Sequence, residues 1–207
     1  MEIFFKEALQ GFSLQSPAEI IAAALAIAYL VLAMRQNAWC WPCALLSTAL
    51  YTWVFFDVSL FMESLLNLYY MGMAIYGFHC WRNGRQNASG FFIHRWPWQA
   101  HALALALIAN CTLVSGYFLS KYTQAAWPYL DSFTSWGAVV TTYMVARKVF
   151  ENWYYWLVVD SLALYLYLDR GLYATAFLMM IYLALVLAGI VTWGRALRAQ
   201  EQKALLF

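Results

Sequence analysis

Long apolar runs, each near the length of a bilayer crossing, alternate along the chain with short polar breaks. The breaks are RQN at 35–37, DVS at 57–59, RNGRQNASG at 82–90, KYTQ at 121–124, RKVFEN at 147–152 and DRG at 169–171. A crossing needs about 20 mostly apolar residues, fewer where helices are bundled. The pattern predicts seven transmembrane helices, at roughly 18–34, 40–56, 61–81, 98–119, 130–146, 152–168 and 172–193. Residues 1–17 lack the basic-then-apolar order of a signal peptide. Their stretch EIFFKEAL reads as a short helix lying in the membrane interface. Residues 194–207 read as a cytoplasmic tail.

Composition agrees with a bilayer as solvent. The chain is 65% hydrophobic and 11% charged, whereas a soluble domain is about 25% charged. The net charge of +2 identifies no partner, and no nucleic acid is expected to bind. Cys40, Cys43, Cys80 and Cys111 all fall in or beside spans, which favours free thiols over a disulfide framework.

The placement of the charges says more than their sum. With seven spans, Arg35, Arg82, Arg85, Arg95, Arg147, Lys148, Arg195, Arg198 and Lys203 fall on one side, and Lys6, Lys121 and Arg170 on the other. The basic-rich side is cytoplasmic by the positive-inside rule. The N-terminus is then periplasmic and the C-terminus cytoplasmic, in a multi-pass inner-membrane protein.

A repeat emerges when the chain is shifted by 112 residues. Arg35 falls on Arg147, Trp41 on Trp153, Asp57 on Asp169, Tyr70 on Tyr182, Gly77 on Gly189 and Trp81 on Trp193. Chance matching of aromatic spans is the plain alternative, but matched Arg, Asp and Gly at loops and helix ends argue against it. Spans one to three (18–81) thus resemble spans five to seven (130–193), with 98–119 as a linker helix. An offset of four spans preserves direction, so this is a parallel repeat, an arrangement found in transporters with the substrate site at the repeat interface. The fold class expected is all-α integral membrane, in the 3+1+3 form of the sugar transporters called SWEETs.

Asp160 stands out inside span six. A carboxylate at mid-bilayer costs about 2.5–3.5 kcal/mol on insertion scales. Trp153, Trp156, Asp160 and Tyr167 share one helix face. Aromatic faces around a desolvated carboxylate suit a flat organic cation. The structural alternative is a protonated Asp160, or one bonded to a neighbouring helix. Trp153 lies near the boundary and also reads as an interface anchor; Trp156 is deeper.

In span three, Asn67 and Tyr70 share a face with Glu63, which lies near the outer boundary. A mid-span Asn takes either another helix or a ligand as its partner. Its repeat mate Met179 is apolar, so the pocket would be asymmetric. Span two offers Ser47, Thr48, Tyr51 and Thr52, although small hydroxyls in spans usually bond back to their own helix. Trp41 and Tyr182, the mates of Trp153 and Tyr70, complete the candidate set. Asp131, at the outer mouth, reads as a helix-start acid or as an attractor of cations.

Cys40, Cys43, His79 and Cys80 lie near one end of spans two and three, but their spacing is not that of a zinc site. No metal or cofactor is expected. Phosphate-binding glycine loops and Ser–His–Asp sets are lacking in the sequence, so an enzyme is not expected. A receptor or assembly factor built on the same bundle would bind without flux.

The stretches ARKVFENWYYWLVVD, GLYATAF and SLFMESLLNLYYMGMAIYGFHCW resemble the Pnu family of bacterial vitamin transporters, from about residue 18 to 193. The resemblance implies the SWEET-like fold and a homotrimer. It also implies facilitated diffusion of a vitamin precursor, trapped afterwards by a cytoplasmic kinase. Family members carry nicotinamide riboside or thiamine, both of which hold a positive charge on a flat ring. Trp156 and Asp160 match the family's span-six pair. Asn67 stands where Gln is commoner, and Ser47 where some members have Asn. These departures keep thiamine open beside nicotinamide riboside.

Overall fold

The computed structural model describes residues 16–57, 61–84, 92–123 and 126–204. Among them are seven helices: α1 (Pro17–Met34), α2 (Cys40–Asp57), α3 (Phe61–Gly84), α4 (Trp98–Tyr122), α5 (Pro128–Ala146), α6 (Asn152–Asp169) and α7 (Tyr173–Ala204). Each covers one predicted span. The proposed interfacial helix before residue 16 and the side chain of Glu63 lie outside the described residues.

Local chemistry sets the boundaries. Ser16 and Glu19 form a capping box at the start of α1, with Pro17 in the first turn. Pro128 opens α5 in the same way. The helix α7 runs on to Ala204, into the segment read as a cytoplasmic tail. Its segment RALRAQEQKA consists of strong helix formers, which continue the helix past the apolar run.

The helices recur at the offset seen in the sequence: Cys40–Asp57 maps onto Asn152–Asp169, and the start of α3 onto that of α7. The turns recur bond for bond. Gln36 N donates to Ala33 O at 2.9 Å and Lys148 N to Val145 O at 3.0 Å. Asn37 N donates to Leu32 O and Val149 N to Met144 O, both at 3.0 Å. Gln36 and Lys148 both adopt left-handed backbone, with φ of 53° and 56°.

Helix contacts run in a circuit, α1–α2–α3–α5–α6–α7 and back to α1, while α4 packs on α5. The two junctions between the halves, α3 on α5 and α7 on α1, are related by the repeat. α1, α4 and α7 are each long and apolar enough by composition to cross a membrane. For their length α2, α5 and α6 carry more of the Ser, Thr, Asn and Asp. Much of the core sits where the halves meet, at the end of the ring bearing Arg147 and Lys148, called the basic end below. Trp41, Trp81, Trp153 and Trp193 are all fully buried there.

Candidate functional site

The inward face of α6 is the one predicted. Trp153 and Asp160 are buried and Trp156 and Tyr167 half-buried, while Tyr154, Val158, Ser161 and Tyr165 point outward and are exposed. Asp160 keeps 7% of its surface accessible. The alternative of Trp153 as an interface anchor is corrected. It is 1% exposed, and its ring fills the space a side chain on Gly189 would occupy, with ring carbons 2.5 Å from where a Cβ would stand.

Tyrosines from the other helices converge on Asp160. Tyr70 on α3 and Tyr182 on α7 both lie within electrostatic reach of its carboxylate. Tyr167 is within reach of Tyr70, Tyr182 and Tyr51, and Tyr29 on α1 is within reach of Tyr70. All five tyrosines are half-buried. Tyr29, Tyr70 and Tyr182 lie deep among protein atoms. The predicted Tyr51, Tyr70, Tyr182 and Asp160 therefore come together. Tyr167, predicted on the same face of α6 as Asp160, joins them, as does Tyr29, which the sequence did not single out.

Ser47 belongs to a helix junction. Its hydroxyl donates to Ala22 O on α1 at 2.7 Å, a buried bond that takes up its proton. Thr48 and Thr52 bond back to their own helix, as expected, at 2.8 Å to Ala44 O and 2.7 Å to Thr48 O. Asn67 is half-buried on α3, one turn before Tyr70, and is engaged with a neighbour. Trp156 packs against the tryptophan cluster, one turn from Asp160. Trp41, like its mate Trp153, is seated against a glycine: a Cβ on Gly77 would fall 2.3 Å from its ring.

The two ends of the ring differ. At the end away from the basic loops, Asp131 pairs with Arg170 at 3.4 Å, and Trp127 Nε1 donates to Asp169 Oδ2 at 2.7 Å. At the basic end, Lys148 is 4% exposed with its ammonium 4.9 Å from the centre of the Trp81 ring. The segment before α4 docks there: His94 exchanges backbone bonds with Lys148 and Phe150, and Arg95 pairs with Glu151 at 3.3 Å. A groove of about 560 Å³ lined by Thr112, Trp127, Tyr129, Phe133 and Leu162 lies beside α4, away from Asp160, and it is apolar.

Known proteins place this arrangement. The model of a family described as nicotinamide mononucleotide transporter matches residues 16–195. The riboflavin/roseoflavin transporter RibM of Streptomyces davaonensis is 26% identical over 190 residues, covering 90% of this chain and 89% of the relative. The nicotinamide riboside transporter PnuC of Escherichia coli is 24% identical over 189 residues, 78% of each chain. A crystal structure of the vitamin B3 transporter PnuC shares the fold. Its TM-score is 0.73 at 20% identity, over 95% of this chain and 90% of that one. The names of these relatives are those of transporters and not of enzymes.

Proposed function

We propose that this chain, which belongs to the nicotinamide mononucleotide transporter family, carries nicotinamide riboside across the bacterial inner membrane by facilitated diffusion. The observation that carries the reading is Asp160: a carboxylate inside a ring of helices, flanked by Trp156 and faced by Tyr70 and Tyr182. A cationic pyridinium ring supplies the missing positive charge and the flat surface. All twelve Lys and Arg stand at the ends of the predicted spans or outside them. A phosphate on the substrate would therefore enter next to Asp160 without a counter-charge, at a high desolvation cost. That favours the riboside over its phosphorylated form.

In this reading the halves at 18–81 and 130–193 rock against each other around the site, and 98–119 links them. The positive-inside rule puts the basic end in the cytoplasm, where a kinase traps the product. The resemblance to the Pnu family supports a trimer.

Two other vitamins have specific support. Thiamine is also a flat cation, and by the family resemblance Asn67 and Ser47 shorten or remove amides that could bind ribose or carboxamide. Riboflavin is raised by the relative RibM, but its neutral ring leaves Asp160 uncompensated. Uptake of the three labelled vitamins into proteoliposomes, with and without proton and sodium gradients, separates the readings. Nicotinamide riboside enters without a gradient if the proposal holds. Uptake of thiamine or riboflavin with none of nicotinamide riboside overturns it, and binding without flux of any vitamin points to a receptor.

A further inference from the structure

The four tryptophans at the basic end fare differently. Trp81 Nε1 donates to Ala146 O at 3.1 Å, and Trp193 Nε1 donates to Ala33 O at 3.0 Å, so each ties its helix to the last turn of a helix in the other half. Trp41 and Trp153 touch the same partners through their rings, at centroid distances of 5.6 Å to Trp81 and 5.5 Å to Trp193. Yet the indole N–H of each has no acceptor, and each residue is 1% exposed. A buried donor left unpaired carries the full cost of its desolvation. The two orphaned donors are repeat mates at matching depth, so the feature occurs once in each half.

We propose that Trp41 and Trp153 form a paired subsite for the uncharged, hydroxyl-bearing arm of the substrate, with their indole N–H groups donating to its oxygens. Trp153 lies seven residues before Asp160, about 10.5 Å along the helix. Trp156 stands between them. A nucleoside-sized molecule whose charged ring meets Asp160 and Trp156 would extend its hydroxylated arm to this depth. The chemistry is complementary: the site at Asp160 offers a negative charge and aromatic faces, and the tryptophan pair offers neutral donors. The rings rest in notches at Gly77 and Gly189, and in this proposal they shift there as the arm enters. This inference rests on the proposed transport of a vitamin.

The test compares two ligands on the purified full-length protein. Trp41→Phe and Trp153→Phe keep an aromatic ring and remove the N–H. Calorimetric binding is measured for nicotinamide riboside and for 1-methylnicotinamide, which has the charged ring and no hydroxylated arm. Each variant is expected to lose about ten-fold in affinity for the riboside, the scale of one buried hydrogen bond, with the affinity for 1-methylnicotinamide unchanged. Equal losses for both ligands, or no loss for either, overturn the proposal and leave the pair a packing element. If a variant fails to fold, the parent protein labelled with ¹⁵N-indole tryptophan answers instead. Two indole resonances then move on adding riboside and stay in place with 1-methylnicotinamide; resonances unmoved by riboside overturn the proposal. Failure of the nicotinamide riboside reading looks different, because the parent then binds neither ligand. The comparison is then made with the vitamin it does bind, such as riboflavin against lumichrome, which lacks the ribityl arm.

Discussion

Lys148 Nζ donates to Gln36 Oε1 at 3.5 Å, and the two residues occupy equivalent positions of the two halves. The contact therefore lies on the pseudo-two-fold axis, where each position meets its own mate. Both residues hold left-handed backbone, a conformation that costs a side-chain-bearing residue roughly 1–2 kcal/mol. The equivalence separates backbone from side chain. Gln36→Gly relieves the strain and loses the long hydrogen bond to Lys148, and the melting temperature in detergent is expected to be unchanged or raised. Lys148→Gly relieves the same strain but strips a buried side chain from the Trp81 ring, so it lowers the melting temperature. Equal effects from the two variants would contradict this account of the axis.

The glycine notches give a steric prediction. A Cβ on Gly77 or Gly189 would stand 2.3 Å or 2.5 Å from a tryptophan ring, whereas one on Gly72 would meet nothing within 4 Å. Gly77→Ala and Gly189→Ala should each destabilise by about 1–3 kcal/mol through overpacking. Gly72→Ala should be neutral or stabilise by up to about 1 kcal/mol, since alanine is the better helix former. Thermal unfolding of the three variants side by side checks this, and a Gly72→Ala variant as damaged as the others would refute it.

The hydrogen bonds between the halves predict a symmetric pair of effects. Trp81→Phe and Trp193→Phe each remove an indole donor and leave a helix-end carbonyl without its partner. Each should cost about 1–3 kcal/mol of stability. The two losses should be similar, because the bonds are equivalent by the repeat. Denaturation monitored by a single cysteine-reactive dye measures both, and a loss confined to one variant would contradict the symmetry.

Ser47 separates binding from folding. Its hydroxyl proton is committed to Ala22 O, so Ser47→Ala should lower stability by about 1 kcal/mol and leave vitamin affinity within two-fold or so of the parent. A large loss of affinity with unchanged melting would return Ser47 to the site.

Much of this architecture can be read from the chain, for physical reasons. Apolar runs of bilayer length with charged breaks between them mark the helices, because a span must be long and its ends polar. The inward face of α6 follows from helical spacing alone: Trp153, Trp156, Asp160 and Tyr167 lie inside, and Tyr154 and Tyr165 outside. Other features depend on how helices meet, which spacing does not encode. Trp41 and Trp81 are recognisable as the mates of Trp153 and Trp193, but not as residues that touch, since their meeting depends on tilt and on the notches at Gly77 and Gly189. Ser47 has the same local spacing as Thr48, yet it bonds across to α1 while Thr48 bonds back. Tyr29 sits in the most uniformly apolar run, where a lone tyrosine reads as an anchor. Its mate Thr141, a fully buried hydroxyl, is the one sequence hint that this face turns inward.

The central claim is that the carboxylate of Asp160 holds a cationic vitamin ring. Its most direct test is the affinity of purified protein for nicotinamide riboside in the parent and in Asp160→Asn, which keeps size and polarity and removes the charge. The account predicts a loss of about ten- to a hundred-fold, the range of one hydrogen-bonded charge interaction of about 1.5–3 kcal/mol, with the melting temperature in the absence of ligand retained or raised. Unchanged affinity in Asp160→Asn would contradict it.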